Sequence, residues 1–82
     1  MRLPARVVFP FGYRVRVKQA TDRELRDLAD DRPDGLWIAE ERTIYIRKCL
    51  PITRKRYILA HELAHAVNDW MHFCLDNTNM RP

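Results

Sequence analysis

A helix running from about Thr53 to about Asn68 or beyond sets the terms for the whole chain. At 100° per residue His61 and His65 fall one turn apart on one flank, with Glu62 beside them, while Leu59, Leu63, Ala66, Val67 and Trp70 gather on the other. An apolar stripe of that kind is stable only when a second layer covers it. The rest of the chain must supply that layer, and 82 residues provide material for one domain and one core. The expected organisation is a single domain over residues 1–82, small enough that a bound metal, a disulfide or a partner would add needed stability.

Upstream of the helix, Tyr13-Arg14-Val15-Arg16-Val17-Lys18 alternates apolar with basic, as a strand with one buried face does, after a lead-in punctuated by Pro10 and Gly12. Thr21 and Glu24 have capping-box spacing, and Leu25 and Leu28 follow at helical intervals, so a first helix is expected to end near Asp31, before Pro33. Asp34-Gly35 reads as a turn. Leu36 to Ala39 and Thr43 to Arg47 read as two strands linked around Glu40, Glu41 and Arg42, with Ile44 and Ile46 facing the core. Pro51 closes this hairpin and Thr53 caps the last helix. The order strand, helix, hairpin, helix predicts an α+β fold, a small antiparallel three-stranded sheet with two helices on one face, the C-terminal helix carrying the histidines.

Composition narrows the class. No segment reaches the roughly 20 apolar residues of a membrane helix, and the run Val7-Val8-Phe9 is too short for the core of a signal peptide. A cytoplasmic location follows as an expectation, and with it reduced, partly buried Cys49 and Cys74 rather than a disulfide. Cys74, close behind the histidines, is also a possible metal ligand. The formal charge of +4 is unevenly spread: Arg2, Arg6, Arg14, Arg16 and Lys18 precede the first acid, and Arg54-Lys55-Arg56 forms a second cluster. Such patches attract nucleic-acid phosphates or acidic protein partners, and a solvated basic face explains them equally well. Three cations in a first helical turn oppose the helix dipole, which favours another role for them.

The residue types of His61-Glu62-Leu63-Ala64-His65 suit one chemistry in particular. Neutral imidazoles one turn apart can bind Zn²⁺ and leave it able to acidify a bound water, while Glu62 serves as general base toward a peptide carbonyl. The competing readings are two surface histidines on a solvated face, or a structural metal site. For a third ligand the candidates are His72, Asp69 and Asp76, with another chain as a further source. On a straight helix Asp69 lies about 12 Å and His72 about 16 Å beyond His61 along the axis. A turn at Asn68-Asp69 is therefore expected to end the helix and fold His72 back to the metal; Asp69 alternatively orients a ligand imidazole.

From Gly35 to Asp69 the chain resembles the ImmA/IrrE family of zinc metallopeptidases, in Thr43-Ile44-Tyr45-Ile46 and then Arg54-Lys55-Arg56-Tyr57-Ile58-Leu59-Ala60-His61-Glu62-Leu63-Ala64-His65. The resemblance implies a minimal zincin in which His61 and His65 are zinc ligands and Glu62 is the catalytic base. It implies an extended protein or peptide substrate pairing by β-augmentation in the Thr43 to Arg47 hairpin region, and a regulatory protein as that substrate. The family's third ligand is an acidic residue on a further helix, for which the residues up to Pro82 leave no room, so the resemblance leaves that ligand open. A zinc-dependent endopeptidase is thus the leading expectation. The alternatives are a small basic binding module with a structural or vestigial zinc site, and a partner-completed domain with Trp70, Met71 and Phe73 on an oligomer or partner surface, where the plainer reading is that these three finish the core.

Overall fold

The alternation of residues 13–18 folds as it reads: Tyr13, Val15 and Val17 are buried while Arg14, Arg16 and Lys18 are exposed. The computed structural model describes residues 3–29 and 33–77, with β1 at Arg6–Phe9, a 3-10 turn at Pro10–Gly12, β2 at Tyr13–Ala20, α1 at Asp22–Leu28, β3 at Gly35–Ile38, β4 at Thr43–Arg47 and α2 at Ile52–Asn77. The architecture is α+β with two helices, but the sheet is four-stranded and mixed, in the order β1-β2-β4-β3. This corrects the expected three antiparallel strands in two ways.

First, the lead-in before Tyr13 is itself a strand. Phe11 and Gly12 adopt positive φ (67° and 77°), which reverses the chain tightly enough for Phe9 to pair with Tyr13 and Arg6 with Arg16. A left-handed phenylalanine leaves no clear turn signature in sequence. Second, β2 pairs with β4 in parallel, Val17 beside Ile44, so the β3–β4 hairpin enters the sheet by its second strand and leaves β3 at the edge. Burial explains the order. Ile44 and Ile46 are fully buried and need neighbours on both sides, whereas every residue of β3 keeps partial exposure.

One face of the sheet carries the main core: Tyr13, Val15, Val17, Ile44 and Ile46 pack with Ile58, Leu59 and Ala66 of α2, and Val7, Phe9, Trp37, Leu63, Trp70 and Phe73 close its borders. Trp70 and Phe73 are half-buried at the border of the core, while Met71 beside them is well exposed. Val67, expected on the core side, is also exposed, because α2 lies on the sheet along Ile58, Leu59, Glu62 and Ala66 and turns Val67 outward. Helix α1 meets β2 and β4 on the other side of the sheet, where Ala20 and Leu25 are fully buried and Asp22 pairs with Arg47, so the two helices do not share one face as expected.

The α1 capping box is formed: the Thr21 hydroxyl accepts from the Glu24 amide and the Glu24 carboxylate accepts from the Thr21 amide. The helix stops at Leu28; the expected end at Asp31 lies outside the described residues. Helix α2 starts at Ile52, its first hydrogen bond running from the Lys55 amide to the Pro51 carbonyl, two residues earlier than a Thr53 cap would place it. It then continues unbroken for 26 residues, so the turn expected at Asn68-Asp69 is absent. Cys49 is exposed rather than partly buried, Cys74 is half-buried, and neither forms a disulfide. No helix among the described residues is long and apolar enough to cross a membrane.

Candidate metal and catalytic centre

Helix α2 presents His61 and His65 to solvent on one flank, their ring centroids 5.3 Å apart and their planes at 81°. That is the side-by-side placement an i, i+4 pair adopts on one helical face. Glu62, between them in sequence, points elsewhere: it is 8% exposed and faces β3. No ion pair or hydrogen bond from the described residues engages its carboxylate. Its stem is buried against Gly35 while its carboxylate oxygens keep contact with solvent, so an acceptor free of protein partners stands at the edge of the core.

Gly35 makes the arrangement possible. A Cβ at Gly35 would stand 2.3 Å from Ile58 Cγ2 and 3.3 Å from Glu62 Cγ, so the helix rests directly on the backbone of β3. Sequence reasoning treated Gly35 only as part of a turn; its role here is close approach. A second tie joins the same two elements, the Trp37 indole N–H of β3 donating to Asp69 of α2. Asp69 is therefore one turn beyond His65 and already anchored to the edge strand, and Trp37 had carried no signal in sequence. Further along, the Trp70 indole donates to the Pro10 carbonyl (3.0 Å), and the Arg42 guanidinium lies 4.3 Å from the Tyr13 ring centroid. Burial raises the Tyr13 hydroxyl pKa, Arg42 works against that shift, and Asp69 adds to it.

The residues expected at the metal are brought together only in part. His61 and His65 share a turn, but the unbroken helix leaves His72 about 10 Å beyond His65 along the axis, and Asp76 further still. Among the described residues no group of three or more His, Cys, Asp or Glu side chains converges as a metal cage. His61 and His65 fit two positions of a tetrahedral zinc; His72, Asp76 and Cys74 do not join them. Within the hairpin, residues Thr43–Arg47 are enclosed between β2 and β3, so its unpaired edge is that of β3, Gly35–Ile38, which lies against the Glu62 turn of α2.

The family profile described as the IrrE N-terminal-like domain, a peptidase family, matches residues 11–75. That span takes in every element except β1 and the last residues of α2. No curated protein and no solved structure matches the chain.

Proposed function

This chain belongs to the IrrE N-terminal-like peptidase family, and on that premise we propose that it is a zinc-dependent endopeptidase of the minimal-zincin type. The observation that carries the reading is Glu62, a carboxylate with a buried stem and no protein partner, on the same α2 turn as two exposed imidazoles and directly against an edge strand. His61 and His65 are the metal ligands. The remaining positions fall to water, substrate or a donor from another chain, and His72 is left out. When bound, zinc would acidify a coordinated water to a pKa of roughly 7 and polarise a peptide carbonyl.

The chain's own residues do the rest. An extended protein or peptide segment pairs with the free edge of β3, which aligns its backbone beside the α2 turn that carries His61 and His65. Glu62 accepts a proton from the attacking water and returns it to the leaving amide nitrogen. Gly35 and the Trp37–Asp69 bond hold that turn at a fixed height over the edge strand, which is what positions a general base. The test is hydrolysis of a fluorogenic peptide library by zinc-loaded protein. Wild type should cut and Glu62→Gln should not, while both retain zinc; equal rates would refute the assignment.

A further inference from the structure

The face of the sheet opposite α2 is a different surface. The alternation of β2 places Arg14, Arg16 and Lys18 there, all exposed. The register puts Arg6 of β1 directly opposite Arg16, and Thr43 of β4 on the other side of it. None of these four cations joins a salt bridge among the described residues. Like charges facing each other across strands disfavour the sheet, so their concentration costs stability and calls for an anion. A shallow groove of about 520 Å³ runs over the patch, lined by Arg14, Arg16, Lys18, Arg42, Thr43 and Glu41. Glu41, the one carboxylate in that lining, accepts a hydrogen bond from the Tyr45 hydroxyl (2.8 Å).

We propose that this open face docks the phosphodiester backbone of duplex nucleic acid. Charge complementarity selects the occupant. Same-face side chains on a strand recur about every 6.7 Å, so β2 presents a regular row of cations to a polymer that carries one charge per unit. Guanidinium forks suit phosphate oxygens. An acidic peptide fits less well: the backbones of β2 and β4 are paired on both sides, so a peptide lying across the face gains no main-chain hydrogen bonds. Base stacking is not provided for either, since Tyr45, the aromatic residue of β4 on this face, is half-buried with its hydroxyl bound to Glu41. Binding is therefore to backbone, without sequence preference, and strongly salt-dependent. It leaves the α2 flank free and does not depend on the peptidase reading.

The experiment is fluorescence anisotropy of a short DNA duplex of mixed sequence, titrated with the full chain between about 50 and about 200 mM salt. Four phosphate contacts predict a slope of log K against log salt of about −3 to −4. Arg14→Gln with Arg16→Gln should reduce the slope by about 2 and weaken low-salt binding at least about tenfold. The control pair Arg23→Gln with Arg56→Gln removes the same charge from exposed residues outside the groove and should leave the slope unchanged. The four substituted side chains are all exposed, and equal melting temperatures would confirm that each variant folds. No binding at low salt would overturn the proposal, as would equal losses in both pairs or displacement of the duplex by polyglutamate at equal charge concentration.

Discussion

On the side of the sheet under α2, β2 turns Val15 and Val17 into a dry interior; one residue along, the same strand gives Arg14, Arg16 and Lys18 to water. The contrast shows how a short chain separates its tasks. The covered face carries stability, because each apolar side chain there is enclosed by sheet and helix. The open face carries charge at little cost in packing and is free to serve a contact. Glu62 is the exception on the covered side: its stem packs against β3, while its carboxylate has no partner among the described residues.

The sharpest way to probe that exception is Glu62→Gln, which keeps the shape and removes the base. Peptide hydrolysis should fall by roughly 10²- to 10⁴-fold with no loss of folding stability, and a stability loss comparable to a core truncation would make Glu62 a structural residue instead. Next in size is the contrast between faces itself. Ile44→Ala, under α2, should cost about 3 kcal/mol, whereas Arg16→Ala on the open face should change stability by less than about 0.5 kcal/mol. Chemical denaturation of the two variants measures both, and similar values would erase the distinction. Gly35→Ala should cost about 1–3 kcal/mol through overpacking against Ile58 and should also slow hydrolysis, because it lifts the Glu62 turn off β3.

The smallest effect concerns α1. The Glu24 carboxyl is held below its ordinary pKa, first by the Thr21 amide and then by the Thr21 hydroxyl. A depressed folded-state pKa means that the cap's contribution is present above the unfolded carboxylate range and is lost as pH falls through the folded value. Thr21→Ala, which keeps the amide, should therefore flatten the acid side of the stability profile only slightly and leave hydrolysis unchanged; an unaltered profile would mean that the Thr21 hydroxyl contributes nothing.

Much of this was legible in residue order, and the exceptions have physical reasons. The period-2 alternation of β2, the Thr21–Glu24 box, the strand Thr43–Arg47 and the buried Ile44 and Ile46 all follow from local pattern. The pairing partner of a strand is not a local property, so β4 joining β2 in parallel could not be read from the hairpin alone. Strand β1 was hidden by the left-handed Phe11. At the candidate centre, i, i+4 spacing was enough to place His61 beside His65. It could not reveal that Glu62 faces β3 across Gly35, or that Trp37 anchors Asp69, since both depend on how the helix lies on the sheet. The expected break at Asn68-Asp69 rests on what asparagine tolerates, and the bonds that anchor Asp69 to Trp37 and Trp70 to Pro10 favour a continuous helix instead.

The central claim is that His61 and His65 hold zinc beside a catalytic Glu62, and native mass spectrometry of the purified chain after zinc addition tests it most directly. The account predicts one zinc per chain in wild type, in Glu62→Gln and in His72→Ala, and none when His61 and His65 are both replaced by Ala. Absence of zinc from wild type, or its retention after loss of both histidines, would contradict it.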